Sequence, residues 1–351
     1  MMAAKNLSAA EPVLETALSL PDSITNGVAT TPNGRVFLVL ARLDGSAGAR
    51  VVEMHDGQQI PYPDEAWNAW RDGADPTSTL VRVNSLRTGP DGDLWLVDTG
   101  SPAIGKPVLP GGAKLIRVNI ATNTVSRTYS LAAAIQPTSF IDDVRFNGTH
   151  AYLTDAGQPG LLVLDLETGT ARRILNGHPS VTADRPISAE GRIVREPDGK
   201  PVFVHADQLE VSPDGSTLYY QTCAGPLYRV PTRLLDDPAA AGSIADAVEI
   251  VADTPPTGGT AIAANGTIYL SDTDTQRILK IMPDGSSSTL IQDPRLLWVD
   301  AMWIDGSGRL WMPAAQLNRL AVFQGGTSKV RYPMQVYTIE IGARPSLNDH
   351  R

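Results

Sequence analysis

Hydrophobic and polar residues alternate along most of the chain in short runs that stop at turn signals. Six of these runs share one form: "TPNGRVFLV", "GPDGDLWLV", "FNGTHAYLT", "SPDGSTLYY", "AANGTIYLS" and "DGSGRLWMP". Period-two alternation gives each strand one inward and one outward face, so each run reads as a strand end, a tight turn and a returning strand. Glycine in the turn, most often after Asn or Asp, supplies the positive φ that the turn demands, and Leu, Val, Trp, Phe or Tyr fill the strand that returns.

The turn glycines Gly34, Gly92, Gly148, Gly215, Gly266 and Gly308 recur at intervals of 42 to 67 residues. A four-stranded propeller blade needs about 40 to 50 residues, and longer loops account for the excess. The pattern predicts an all-β fold: a single six-bladed β-propeller of four-stranded antiparallel blades, forming one domain over residues 1–351. Inner strands are expected near 24–30, 82–88, 140–146, 207–212, 258–263 and 299–304. The pieces before Asn26 and after Arg331 should supply strands that join the ends of the ring. Segment 176–204 reads as an insertion over the channel mouth, and "TGSPAIGKPVLPGG" as a second long loop. Helix is expected only in short pieces, with "DEAWNAW" and "PTRLLDDP" the candidates.

Composition narrows the function classes. A formal net charge of −9 disfavours a nucleic-acid or anionic-membrane partner, which would need clustered Lys and Arg, and the sequence shows no such cluster. Cys223 is the single cysteine, so no internal disulfide forms. No run approaches the roughly 20 apolar residues of a membrane span, and the N-terminal stretch lacks an apolar leader core. The expectation is a soluble, cytoplasmic protein whose partner is a small-molecule ligand or substrate, with no nucleic acid and no membrane. The oligomeric state is left open.

Eight residues before the turn glycines stand Asn26, Asn84, Phe140, Asp207, Gly258 and Asp300. Four of the six are Asn or Asp, and in the third copy Asp142 lies two residues on, hence on the same strand face, with Asp143 on the other. If the first strand of each blade lines the axis, these side chains ring one mouth of the channel. Such a set of oxygens suits Ca²⁺ or another hard divalent cation, with Asn84, Asp207 and Asp300 as candidate metal ligands. It equally suits a polar or cationic small molecule, with Asn26, Asn84, Asp142, Asp143, Trp298 and Asp300 as candidate contacts. Trp298, two residues before Asp300, offers a ring for stacking. His205, two residues before Asp207, can exchange protons near neutral pH, making His205 and Asp207 the candidate catalytic pair. Asp98, Asp155 and Asp272 end the returning strands, either as a wider acidic rim or as caps of backbone amides.

Other signatures fail. "GSPAIGKP" follows a phosphate-binding loop for seven places, but Pro107 stands where Ser or Thr is required and no helix is expected beyond it. No G-x-S-x-G, H-E-x-x-H or C-x-x-C occurs, so serine hydrolases, zincins and zinc ribbons lose their support.

The segments "VRVNSLRTGPDGDLWLVDTGSP", "DDVRFNGTHAYLTDAG", "LEVSPDGSTLYYQTCAGPLYRVPTRLL" and "LLWVDAMWIDGSGRLWMPAAQLNRL" resemble, in order, the signatures of the Yellow and major royal jelly protein family. The resemblance runs from about Asn26 to Leu320. It implies a six-bladed propeller, in agreement with the turn count, and a family that includes dopachrome-converting enzymes, binders of biogenic amines and structural proteins. Insect members are secreted and carry disulfides, whereas this chain is more similar to intracellular bacterial relatives grouped with gluconolactonase-type propellers. Those enzymes use a central metal held by Glu, Asn and Asp. Asn84, Asp207 and Asp300 match three such places, and the first-blade Glu has no counterpart. The resemblance therefore implies an enzyme that isomerises a small cyclic metabolite or opens a lactone, with a non-catalytic binder of aromatic amines as the alternative.

Overall fold

A computed structural model describes residues 13–348. They form a six-bladed β-propeller of four-stranded antiparallel blades. The first blade comprises Thr25–Thr30, Val36–Leu40, Val51–His55 and Gln58–Pro61, and the second Val83–Thr88, Leu94–Asp98, Lys114–Asn119 and Thr124–Ser130. The third comprises Ile141–Asn147, His150–Asp155, Gly160–Asp165 and Ala171–Ile174, and the fourth Ala206–Val211, Thr217–Thr222, Leu227–Pro231 and Glu249–Ala252. Thr260–Ile262, Ile268–Asp272, Arg277–Ile281 and Ser287–Gln292 make the fifth. The sixth joins both ends of the chain: Trp303–Ile304, Arg309–Pro313 and Met334–Glu340 are completed by Glu15–Leu20 as the outermost strand. Ring closure thus rests on a strand pair whose members lie more than 300 residues apart, which costs loop entropy once and leaves no open sheet between first and last blades.

The inner strands touch in cyclic order around the axis. Apolar residues of the second strands, such as Leu38, Leu96, Leu153, Leu218 and Leu270, are fully buried between neighbouring sheets. All six turn glycines hold positive φ, from 57° at Gly148 to 92° at Gly308, a region closed to most side chains. Of the two helix candidates, "PTRLLDDP" contains the one α-helix among the described residues, Thr232–Asp236. "DEAWNAW" is a turn instead. Asp64 Oδ1 accepts the Trp67 N–H at 2.8 Å, and Asn68 Nδ2 donates to the carbonyls of Tyr62 and Asp64, so side chains take the backbone partners a helix would use.

Candidate functional site

The axial positions lie where the inner strands are irregular. In the first blade Thr25 pairs with Leu40 and Gly27 with Val39, leaving Asn26 without an opposite residue. Asn84 is left in the same way between Val83 and Ser85. Asp142 and Asp143 together face one residue of the returning strand, as do Asp207 and Gln208. In the sixth blade, Val299↔Ala314 and Trp303↔Trp311 again leave one extra residue around Asp300. A β-bulge twists the strand and re-aims the added side chain. Here the same device turns an Asn or Asp toward the axis in five blades.

The fifth blade departs from the rule for a steric reason. A Cβ on Gly258 would meet Val299 O at 2.4 Å, and one on Gly259 would meet the Asp300 carbonyl at 2.5 Å. The sixth blade's backbone occupies the space a fifth ring side chain would need.

These residues are stitched across blades. Asn26 Nδ2 donates to Asn84 O at 2.9 Å, and Asn84 Nδ2 donates to Asp142 Oδ1 at 2.6 Å. Asp142 and Asp207 hydrogen-bond to each other. Burial, and then the Asp207 charge, push the Asp142 carboxyl well above its ordinary range. Burial also raises Asp207, while the bond from Asp142 pulls it back. The two carboxyls interact so closely that they titrate as a pair, both displaced above the usual carboxylate range. Asp300 is pushed well up by burial, although the Ala301 N–H at 2.9 Å and Trp298 Nε1–H at 3.1 Å favour its charged form. The set is an acid cluster whose carboxyls are displaced toward their protonated forms.

Asp143 belongs to a different network. Arg145 Nη1 donates to its Oδ2 at 2.6 Å, and Arg87 Nη2 lies 3.7 Å away. Burial would raise Asp143, but these guanidinium groups hold it below the usual carboxylate range. Arg145 also grips Glu210 through two bonds of 2.9 and 2.8 Å.

Above the acid cluster opens a cavity of about 380 Å³ lined by Asn26, Asn84, Asp142, Asp207, Trp298 and Asp300. Its upper walls come from the two long loops: Ile104 and Lys106 on one side, and Ile187, Val202, Phe203 and Val204 of the 176–204 segment on the other. Phe203 is 47% exposed and Ile104 37%, and Lys106 and Glu196 join them, so the rim mixes apolar and charged side chains above an acidic floor. The loop that imitates a phosphate-binding motif leads into no helix.

His205 is not among the cavity residues. Its Nδ1 accepts the Ala183 N–H at 3.1 Å, and burial, partly offset by the Asp155 charge, lowers its pKa. The expected His205–Asp207 pair is thus divided: the bulge breaks the period-two relation between them, and the imidazole braces the insertion. Asp98, Asp155 and Asp272 form no open rim; they are at most 2% exposed. Each caps backbone amides and holds a cation: Lys114 on Asp98 at 2.7 Å, Arg173 on Asp155 at 2.8 Å and Arg277 on Asp272 at 2.8 Å.

The sequence reading missed Arg82. It is 2% exposed and lines the cavity, its guanidinium lies 4.7 Å from the Phe140 ring centroid, and its Nη1 has no hydrogen-bond partner. Burial brings its pKa down to about 10, so it stays charged. The available signal was the position two residues before the ring residue, which holds Arg82, Phe140, His205 and Trp298 in four of the five blades and Ile24 in the first.

The donor set Asn84, Asp142, Asp207 and Asp300 contains only oxygens suited to a hard cation. As arranged, however, the carboxylates are engaged with one another and with protein N–H groups. Among the described residues no three His, Cys, Asp or Glu side chains are grouped to hold a metal ion.

Fold and site together define a six-bladed propeller with an acidic channel mouth. The chain belongs to the major royal jelly protein family, whose sequence profile matches residues 87–344. No curated protein matches it by sequence. Among solved structures it is similar to a gluconolactonase from Xanthomonas campestris (TM-score 0.59, 14% identity, 97% of this chain and 93% of that one). It is similar also to a calcium-binding regucalcin from Agrobacterium tumefaciens (0.57, 14%, 94% and 95%) and to virginiamycin B lyase from Staphylococcus aureus (0.53, 12%, 94% and 100%). At these identities the likeness is one of fold.

Proposed function

We propose that the protein is an enzyme acting on a small cyclic metabolite at the channel mouth, by tautomerisation or by lactone opening. The observation that carries this reading is the pair of neighbouring carboxyls Asp142 and Asp207 in the floor of the cavity, both displaced upward by burial. One carboxyl is then an acid and its neighbour a base at the same pH, which is what proton transfer at two substrate atoms requires. In tautomerisation, Asp207 takes the proton from the substrate's ring and Asp142 gives its own to the substrate oxygen. The proton then returns across the Asp142–Asp207 bond. In lactone opening, Asp207 takes a proton from the attacking water and Asp142 protonates the leaving ring oxygen. Arg82, a charged side chain in the cavity wall, stabilises through its field the oxygen on which negative charge develops. Trp298 and the apolar side chains of the rim hold the ring.

The test is turnover of a panel of lactones and catechol-derived quinones by the wild type, Asp207→Asn and Asp142→Asn. A positioned general acid or base contributes about 10²–10⁴-fold, so each variant should lose at least about 100-fold in kcat while remaining folded. Unchanged turnover in both would defeat the assignment. Saturable binding of aromatic amines with no turnover of any panel member would replace it with a binding role. A divalent cation such as Ca²⁺, which the Agrobacterium regucalcin binds, would have to compete with protons for these carboxylates. Turnover that requires Ca²⁺ and is abolished by a chelator would move the chemistry to a cation.

A further inference from the structure

Lys and Arg form no cluster along the sequence, but folding assembles one. Arg192 of the hairpin Ser188–Ala189/Arg192–Ile193 meets Arg319, Lys329 and Arg331 of the sixth blade around a second cavity of about 370 Å³. Glu190 is the single acidic side chain in its wall. It is already engaged by Arg319 at 2.7 and 3.0 Å and by Asn318 Nδ2 at 2.9 Å. The side chains of Arg192, Lys329 and Arg331 have no acidic partner among the described residues. Four cations against one carboxylate leave a local excess of three positive charges in a chain whose net charge is −9.

We propose that this cleft binds a small polyanion, a metabolite carrying phosphate or several carboxylates. Guanidinium groups match phosphate and carboxylate oxygens in a fork, and an ammonium adds a mobile point charge. The cleft stands apart from the acid cluster, yet it shares a wall with the mouth: Phe323 lines both cavities, and Ile187 faces the mouth two residues before Ala189 faces the cleft. An anion bridging Arg192 to Lys329 and Arg331 therefore ties the segment that roofs the mouth to the sixth blade. Such an occupant would regulate access to the mouth.

The test uses the full chain, titrated calorimetrically with pyrophosphate, inorganic phosphate and citrate at an ionic strength held constant with NaCl. Saturable binding of pyrophosphate is expected, weaker for inorganic phosphate, with citrate reporting whether carboxylates serve as well. Lys329 and Arg331 are exposed, so Lys329→Gln and Arg331→Gln should stay folded. Each should weaken binding about tenfold, the loss of one charge-assisted contact. No saturable binding, or equal binding by the double variant, overturns the site. Proteolytic cleavage within 184–200 should slow when pyrophosphate is bound, and binding without protection overturns the bridging role. None of these readouts depends on turnover, so the cleft and the catalytic reading fail separately.

Discussion

Asp142 and Asp143 are chain neighbours on one bulge, the first half-buried in the cavity floor and the second buried, and their carboxyls are displaced in opposite directions. Asp142 faces the mouth with other acids around it and is displaced toward its protonated form. Asp143 faces down the channel into Arg145 and Arg87 and gives its proton up. A buried carboxyl is tolerated either by neutralisation or by pairing with a cation, and this bulge places one of each a residue apart. The lower layer, Asp143–Arg145–Glu210, is closed by hydrogen bonds on both sides and is a structural belt. The upper layer gathers acids without a cation at the floor of a cavity, an arrangement that stability alone does not require.

The largest test of that contrast is Arg145→Ala. It strands Asp143 and Glu210 without their shared cation, and breaking a buried ion pair costs about 3–5 kcal/mol. Urea denaturation should show that loss, whereas Asp207→Asn, which removes a charge from among acids, should change stability by less than about 1 kcal/mol. Equal losses would erase the distinction between the layers.

Next in size is Gly259→Ala. The added methyl would stand 2.5 Å from the Asp300 carbonyl, so backbone must shift, at a cost of about 1–3 kcal/mol for overpacking. Because the displaced segment carries Asp300, ligand binding at the mouth should weaken as well. A fully stable variant with unchanged binding would show that the fifth blade's gap is not a packing requirement.

The two aspartates also predict opposite pH dependence. The folded pKa of Asp142 lies above its unfolded value of about 3.9. The folded state then binds the extra proton, and the stability contributed is complete below about pH 4 and falls as pH rises toward the folded value. For Asp143, whose folded pKa lies below the unfolded one, the contribution is present above about pH 4 and is lost as pH falls. Urea midpoints across that range should flatten on the rising-pH limb in Asp142→Asn and on the acid limb in Asp143→Asn. The same limb flattening in both variants would contradict the opposed environments.

The fold was legible because hairpin turns and alternating strands are local signals repeated six times. Ring positions were legible where the repeat was regular. The eight-residue count fell on Phe140 in the third blade because Asn147 pairs directly with His150, leaving a two-residue loop shorter than the connection from Thr30 to Val36. Asp142 was recovered only through strand periodicity. The bulges themselves leave no mark in composition, so the direction of His205 was misread. Arg82 and the basic cleft depend on side chains brought together by closure of the ring, which no local window contains.

The smallest effect expected concerns His205, and it separates a brace from a base. Its Nδ1 accepts the Ala183 N–H, so His205→Ala removes one hydrogen bond and should cost about 1 kcal/mol. Turnover should be retained, in contrast to Asp207→Asn. The variant also carries a pH signature. Burial lowers the folded pKa of His205 below its unfolded value of about 6.5. The unfolded chain therefore binds the extra proton, and the stability this imidazole contributes is lost as pH falls through about 6.5 toward the folded value. His205→Ala should remove that decline while leaving the stability difference between pH 7 and 8 as it is in the wild type. A kcat that instead falls about 100-fold, with the acid-side decline intact, would return the imidazole to the chemistry and leave Asp207 as its partner.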